Sequence, residues 1–285
     1  MRDGTGDALS ALLQHPAEAV EWEARPVVVL IHGLSGNEDS TYMRTSAAHW
    51  LGTGFRVVRL NLRGAGPSRA GCRQQYHAGR SGDLRDAFAT LGEEVGGDGF
   101  AIVGYSLGGN VTLKFLAEYG AEFDVRVAAS VSAPIDLLAA SRRINEPRNR
   151  LYQWNLLRNM KLEANAVPGG LDEGERSAVQ GARSVLGFDD AFVAPRNGYP
   201  DAYAYYEANS AMHFLDEIRT PTLMIHALDD PWIPARAYQA QSWAKNPALV
   251  PLLAAGGGHV GFHAPGTRVP WHDRCIERFF SDAVG

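Results

Sequence analysis

Residues 100–119 read FAIVGYSLGGNVTLKFLAEY and join a predicted buried strand to a predicted helix through one sharp turn. The strand is the apolar run 100–104, and residues 107–119 place apolar side chains at helical spacing. The turn between them contains the G-x-S-x-G motif GYSLG. Such a turn exposes the serine hydroxyl beside a helix N-terminus, whose free N–H groups favour a developing negative charge. We predict that Ser106 is a nucleophile; the alternative is an ordinary serine in a glycine-rich turn.

The rest of the chain alternates strand and helix in the same way. Runs of apolar and β-branched residues predict six strands, at residues 26–31, 55–60, 100–104, 125–131, 222–227 and 248–253. Further helices are predicted at residues 41–51, 82–95, 235–244 and 271–283. The first five runs are almost continuously apolar, as in parallel strands buried on both faces, whereas a proline in the sixth indicates an edge strand. This alternation predicts an α/β fold with a mostly parallel, doubly wound sheet.

Residues 134–220 interrupt the alternation. No strand is predicted there, and the stretch is too long for a single crossover between strands. We therefore predict a mainly helical cap at 134–220, inserted into a core formed by residues 1–133 and 221–285. Five aromatic residues of this segment are predicted to form the core of the cap rather than to contact substrate: Tyr152, Trp154, Phe188, Phe192 and Phe214.

Composition excludes several classes of protein. The chain has 285 residues and a net charge of −5, which disfavours nucleic acid or an anionic membrane surface as the main partner. Two distant cysteines, Cys72 and Cys275, indicate neither a disulfide framework nor a metal knuckle. No signal-like segment and no run of 18 apolar residues is found, so we expect a cytoplasmic protein without integral membrane association. Homo-oligomerisation is left open.

A serine nucleophile needs a base, and nine histidines compete for that role. His259 lies in GGGHVG, residues 256–261, after the last predicted strand, where a loop can carry the imidazole back over Ser106. His263, four residues later, is its rival. His226 lies inside an apolar strand, which favours a buried, hydrogen-bonded core residue. The other histidines that lack a supporting context are predicted to be surface or structural residues: His15, His49, His77, His213 and His272.

The base in turn needs a carboxylate to fix its tautomer. Asp229 and Asp230 follow the strand predicted at residues 222–227, a position from which either can reach such a base. The alternative is that either aspartate caps the helix near Pro234, and we favour that role for Asp229. The resulting order is Ser106, Asp230, His259.

The segment His32-Gly33-Leu34-Ser35-Gly36 follows the first strand and is suited to bind an oxyanion. We assign that role to the backbone N–H groups of Leu34 and Leu107. Gly33 lets the backbone turn, and His32 is expected to hold the loop through hydrogen bonds.

Other glycines and other sites are interpreted more simply. Gly104 and Gly108 leave room for strand and helix to pack closely beside the serine. Residues 61–68 are glycine-rich but lack the spacing of a dinucleotide or phosphate loop. Since no metal-ligand spacing appears either, we predict no cofactor and no metal.

Taken together, these segments resemble the α/β-hydrolase superfamily and, within it, the YheT-like serine esterase branch. The matching pieces are HGLSGNEDSTYMR from His32, NLRGAG from Asn61, YHAG from Tyr76, GYSLGGN from Gly104, FDD and AP within residues 188–195, DAYAYYEANS from Asp201, ALDDPWIP from Ala227 and GGHVGF from Gly257. The resemblance implies Ser106 as nucleophile, His259 as base and Asp230 as the carboxylate that orients it. Asp230 rather than Asp229 is chosen because it lies four residues before Pro234, where members of the family usually place this residue.

One departure from that branch concerns the N-terminal side. Members usually carry extra strands before the first HG motif, whereas about 25 residues precede Pro26 here, and residues 20–23 could add one short strand. We therefore expect either a sheet of fewer than eight strands or a more open access channel.

The activity expected is hydrolysis of small to medium acyl esters through an acyl-enzyme. With the same three residues, the alternatives are a thioesterase, an amidase or a phospholipid or glyceride acyl hydrolase. An alternative of another class is a non-catalytic binding module on the same fold, against which the complete set of serine, aspartate and histidine argues.

Overall fold

The computed structural model of the chain describes residues 1–17, 25–95 and 99–284. Within these ranges seven strands form one sheet: β1 Ala11–Gln14, β2 Val27–Ile31, β3 Val57–Leu60, β4 Phe100–Tyr105, β5 Val125–Val131, β6 Thr222–Ala227 and β7 Leu249–Ala254. Their order is β1-β3-β2-β4-β5-β6-β7, and only β1 runs antiparallel to its neighbour. The six predicted strands are confirmed to within two residues, and β7 lies at an edge as predicted. The short strand expected at residues 20–23 lies outside the described residues.

The helices follow the strands in chain order. They are α1 Thr41–Gly52, α2 Ser81–Val95, α3 Leu107–Tyr119, α4 Leu137–Ile144, α5 Arg150–Asn165, α6 Glu173–Gly181, α7 Val185–Phe188, α8 Ala194–Arg196, α9 Ala202–Asn209, α10 Ala235–Gln239 and α11 Trp271–Val284. A short π-helix at Asp189–Val193 joins α7 to α8. Short 3₁₀ turns occur at Gly66–Gly71, Gly120–Glu122, Pro147–Asn149, Ala211–His213, Leu215–Glu217 and Trp243–Lys245. Helix α10 is shorter than predicted, and the Trp243 indole N–H donates to the Tyr238 carbonyl near its end.

Two apolar layers cover the sheet. Side chains alternate along β2, so that Val27, Val29 and Ile31 face α2 and α3, whereas Val28 and Leu30 face α1 and α11. Because both faces are covered, the central strands are wholly buried. The doubly wound α/β fold is therefore confirmed.

Residues 134–220, between β5 and β6, contain helices and turns and no strand. These helices have an apolar cluster of their own, to which Phe188 and Phe192 contribute. The core role predicted for Tyr152 and Trp154 is wrong, because these side chains are 55% and 64% exposed. Phe214 is half-buried, with the Lys114 ammonium 4.0 Å above its ring. In the parts of the chain described, no helix is long and apolar enough to cross a membrane.

Candidate active site

Ser106 occupies a strained turn between β4 and α3. Its backbone angles, φ 50° and ψ −121°, lie in a region that residues other than glycine rarely adopt. A Cβ on Gly108 would lie 2.3 Å from the carbonyl oxygen of His32, and one on Gly104 would lie 2.5 Å from Thr112 Oγ1. Glycine at these two positions therefore allows β2, β4 and α3 to approach closely enough to form the turn.

Three side chains distant in sequence are joined by hydrogen bonds at the carboxyl edge of the sheet. His259 Nε2 lies 2.9 Å from Ser106 Oγ, and His259 Nδ1 lies 2.8 Å from Asp230 Oδ2. The Asp230 side chain is fully buried, and its other oxygen accepts the N–H groups of Trp232 and Ile233 at 2.8 and 3.0 Å. An ionised carboxylate only accepts hydrogen bonds, so Nδ1 carries the proton and Nε2 is left to accept from the serine hydroxyl.

The loop that carries His259 is held from two sides. The Trp232 ring lies 4.4 Å from the imidazole, measured between ring centroids. Asp229 accepts the N–H of Gly258 at 2.8 Å. The capping role that we favoured for Asp229 is wrong, since α10 begins without any side-chain cap. The two adjacent aspartates thus bind adjacent parts of one loop, Asp230 the imidazole and Asp229 the backbone.

His32 fixes the orientation of one peptide plane beside Ser106. Its Nε2 accepts the N–H of Leu62 at 3.0 Å, so its Nδ1 donates to the Gly33 carbonyl at 2.8 Å. That carbonyl also accepts the N–H of Gly36 at 3.1 Å. Burial lowers the pKa of His32 to about 4, so the ring stays neutral and keeps both hydrogen bonds near neutral pH.

The backbone N–H groups of Leu34 and Leu107, which we predicted to bind an oxyanion, lie near Ser106. A trans peptide directs its C=O and N–H to opposite sides, so fixing the Gly33 carbonyl also fixes the N–H of Leu34. Leu34, Leu107 and Ser106 all border one cavity. Among the described residues, neither amide finds a hydrogen-bond acceptor. An oxyanion hole requires N–H donors that are not already bonded within the protein, and both amides meet that requirement.

The sequence reasoning missed Tyr76 as part of this site. Its hydroxyl accepts the N–H of Ser35 at 2.7 Å and donates to Glu163 Oε2 at 3.0 Å. Ser35 directly follows Leu34, so Tyr76 links the loop at residues 32–36 to helix α5. Burial raises the pKa of Glu163 to about 7. The segment YHAG was the available signal, but a tyrosine in a loop has no spacing that identifies this role.

A cavity of about 400 Å³ opens beside Ser106 and His259. Its wall is mainly apolar and comes largely from the helices between β5 and β6, with Leu137, Ile144, Leu156, Met160, Phe188 and Phe192. Phe188 and Phe192 therefore serve both the apolar core of that segment and the cavity wall. Polar side chains also reach the cavity: Gln75, His77, Glu163, Asp189, Arg196 and Asn197. Asp189 accepts the Tyr206 hydroxyl at 2.6 Å, and burial raises its pKa to about 7.

Neither His263, the rival base, nor His226, the predicted core histidine, is bonded to Ser106. His263 is exposed, and the Ser106 hydroxyl is bonded to His259 instead. His226 is buried as predicted and stacks on Tyr238 with ring centroids 4.1 Å apart. Its predicted hydrogen bonds are wrong, because neither ring nitrogen has a partner among the described residues. The same part of the chain contains no group of three His, Cys, Asp or Glu side chains that could hold a metal ion.

Comparison with known proteins identifies relatives over nearly the whole chain. A family described as alpha/beta hydrolase fold matches residues 26–264. The putative esterase YheT of Escherichia coli is 34% identical over 253 residues, which cover 87% of this chain and 73% of that protein. The monoacylglycerol lipase of Saccharomyces cerevisiae is 30% identical over 267 residues, which cover 90% of this chain and 59% of the lipase. This chain thus spans about three fifths of the lipase.

A solved structure with the same architecture is the Pyrococcus furiosus esterase Pf2001. It superposes with a TM-score of 0.62 at 15% identity, covering 100% of this chain and 94% of that one. At this level of identity the likeness concerns the fold alone.

Proposed function

The chain belongs to the α/β-hydrolase family, and from that membership and the geometry of the site we propose that it is a serine carboxylic-ester hydrolase. Ser106 is the nucleophile, His259 the general base and Asp230 the acid that orients it. The main support for the proposal is the continuous hydrogen-bond chain through His259. Its Nε2 lies 2.9 Å from Ser106 Oγ, and its Nδ1 lies 2.8 Å from Asp230 Oδ2. That chain ends in a largely apolar cavity.

Acylation begins when His259 Nε2 removes the Ser106 proton and Oγ attacks the ester carbonyl carbon. The carbonyl oxygen becomes an anion, which the N–H groups of Leu34 and Leu107 stabilise, at about 2.7–4 kcal/mol for each such donor. The bond from carbon to the alcohol oxygen then breaks. The imidazolium gives its proton to the leaving oxygen, and the acyl group remains on Ser106.

Deacylation repeats these steps with water. His259 takes a proton from a water molecule, whose oxygen attacks the acyl carbon, and the same two amides hold the second oxyanion. The bond to Ser106 Oγ then breaks, Oγ recovers its proton from His259, and the carboxylic acid leaves. The two steps together consume one ester and one water molecule and release an alcohol and a carboxylic acid.

We propose small to medium acyl groups as the substrate class. A volume of about 400 Å³ lies in the range of small-molecule pockets, and an apolar wall favours a hydrocarbon chain. We also propose that residues 134–220 act as the cap over a core of 1–133 and 221–285. Leu137, Ile144 and Met160 then let the cap supply much of the wall against which the acyl chain packs.

A second candidate, an acylglycerol or phospholipid acyl hydrolase, is favoured by the polar part of the cavity. Gln75, Arg196 and Asn197 line this part, where a hydroxyl or phosphate group of the leaving alcohol would share Arg196 with Glu175 and Asn197 with Arg80. The relative from yeast is a monoacylglycerol lipase. A higher kcat/KM for monoacylglycerols than for simple alkyl esters of the same acyl chain would favour this candidate.

The test is hydrolysis of p-nitrophenyl acetate, butyrate and octanoate by the wild type and by Ser106→Ala. We expect the variant to lose at least about 10⁴-fold in kcat, because the two oxyanion donors alone retain little activity. A fluorophosphonate probe should label the wild type and not the variant. Equal rates for the two proteins, or an unlabelled wild type, would contradict the proposal and favour a binding module.

A further inference from the structure

Helix α5, Arg150–Asn165, has large apolar side chains on two opposite sides, with polar residues between them. Leu157, Met160 and Ala164 are buried against the rest of the chain. On the opposite side, at spacings of three and eight residues, Leu151, Trp154 and Leu162 are 80%, 64% and 56% exposed. We call these three residues the outer face of α5. Large apolar side chains grouped on the exposed side of a surface helix often mark an interaction site, and no described residue covers this face. It therefore has the composition of a contact surface.

Basic residues surround the outer face. Residues 142–161 contain six arginines or lysines and one glutamate, in a chain whose net charge is −5. Arg148, Arg150 and Arg158 are exposed, and none of them is ion-paired with a carboxylate in the part of the chain that the structure describes. The local charge is thus opposite in sign to that of the whole chain, and the whole-chain value does not predict which partner this helix attracts.

The outer face lies on the helix that also borders the candidate active site. Met160 and Glu163, on the other side of α5, line the cavity beside Ser106. Near the start of the helix, Tyr152 packs edge-on against Trp232 with ring centroids 5.3 Å apart, and Trp232 in turn contacts His259. A surface bound to the outer face would therefore stand next to the cavity.

We propose that the outer face of α5 docks on an anionic lipid surface. Leu151, Trp154 and Leu162 enter the boundary between head groups and acyl chains, and Arg148, Arg150 and Arg158 contact lipid phosphates. Exposed apolar residues flanked by arginine are the composition of helices that lie in a membrane interface. A second copy of this chain fits less well, because a two-fold contact would bring the same arginines together.

Vesicle flotation tests the docking independently of any hydrolysis. The wild type should float with vesicles of phosphatidylcholine and phosphatidylglycerol at low ionic strength. It should float much less with phosphatidylcholine alone or at high salt, which screens the arginines. Each basic residue at an anionic surface is worth roughly a fivefold gain in partitioning, so Arg148→Gln/Arg150→Gln/Arg158→Gln should lose on the order of a hundredfold. Leu151→Gln/Trp154→Gln should also lose binding.

Matched variants separate the outer face from general surface properties. Arg44→Gln/Arg274→Gln/Arg278→Gln removes three exposed arginines from other helices, and Tyr203→Gln removes a 50% exposed aromatic side chain from α9. Both controls should float like the wild type, and all variants should keep their rate on soluble p-nitrophenyl butyrate. Docking is overturned if the wild type stays unbound or if test and control variants bind equally. A concentration-dependent dimer that Leu151→Gln/Trp154→Gln abolishes would also overturn it, by assigning the face to a second copy.

Discussion

At the scale of single residues, Asp230 controls which nitrogen of His259 carries the proton. Its buried carboxylate accepts two backbone N–H groups through one oxygen and the imidazole through the other. In Asp230→Asn, the amide oxygen would keep the backbone bonds and the NH₂ group would face Nδ1, which favours the wrong tautomer. We predict a fall in kcat of about 10⁴-fold, measured with p-nitrophenyl butyrate.

The neighbouring aspartate provides the control for this change. Asp229 is exposed and accepts the N–H of Gly258, a bond that an asparagine oxygen can also accept. Asp229→Asn should therefore change kcat by less than about threefold, since an exposed hydrogen bond contributes little. A comparable loss in both variants would contradict the separate roles of the two carboxylates.

Tyr76 is a second residue whose effect we expect to be specific to the reaction step. Tyr76→Phe removes the acceptor of the Ser35 N–H, so the peptide that follows Leu34 loses one of its supports. We predict a loss of roughly tenfold in kcat with little change in KM, because an oxyanion hole acts on the transition state and not on substrate binding. Steady-state kinetics with butyrate and octanoate esters separate the two constants. A rise in KM alone would instead place Tyr76 in substrate binding.

At the scale of elements, the approach of α3 to β2 depends on Gly108. A Cβ there would lie 2.3 Å from the His32 oxygen and 2.5 Å from the Ile31 oxygen, both of them backbone atoms that cannot turn away. We predict that Gly108→Ala destabilises the protein by more than about 2 kcal/mol, since overpacking outweighs the better helix propensity of alanine. Urea denaturation measures this effect.

Gly92 is the matched glycine for that experiment. It lies in α2, is exposed, and has no atom within 4 Å of the position that a Cβ would take. Gly92→Ala should therefore stabilise the protein by roughly 0.5–1 kcal/mol through helix propensity alone. If both alanines had the same effect, packing beside Ser106 would not be what requires Gly108.

Two features could not be predicted from the sequence, and both involve apolar residues that are exposed to solvent. Strand β1 escaped prediction because its residues ALLQ are mostly exposed at the sheet edge and lack the β-branched run of a buried strand. The exposure of Trp154 was not predicted because large apolar residues lie on both the buried and the exposed side of α5, so periodicity does not identify an outward face. The central strands were predictable because burial on both faces leaves a continuous apolar run.

At the scale of the whole molecule, the positions of Ser106, Asp230 and His259 could be predicted because topology alone brings them together. Each lies just beyond the carboxyl end of a parallel strand, and those ends share one edge of the sheet. The link from Tyr76 to Glu163 could not be predicted, since it joins a loop to α5 across 87 positions of sequence. Such contacts depend on how the inserted helices pack, which strand order does not determine.

Buried titratable groups of two kinds oppose each other in the pH dependence of stability. Burial lowers the pKa of four histidines from 6.5, to about 4 for His32 and His226 and about 3 for His77 and His272. The unfolded chain then binds more protons below pH 6.5, so their contribution to stability is lost as pH falls. Burial raises the pKa of three carboxyls, Glu163, Asp189 and Asp273, to about 7. Between the ordinary carboxyl pKa and about pH 7, the folded chain therefore binds more protons than the unfolded chain. The contribution of these carboxyls to stability is lost as pH rises toward 7.

Asp273 allows one of these contributions to be removed by itself. Its Oδ1 accepts the Ser46 hydroxyl at 2.8 Å, and its Oδ2 has no hydrogen-bond partner in the described structure. Asp273→Asn keeps the acceptor and cannot ionise, so it should be more stable than the wild type at about pH 8 and lose most of that advantage at about pH 4. Urea denaturation across this range measures the difference in the free energy of unfolding.

The control is Asp282, an exposed carboxylate of the same helix. Asp282→Asn should show no such trend. A difference between Asp273→Asn and wild type that does not depend on pH would mean that Asp273 does not titrate near neutrality.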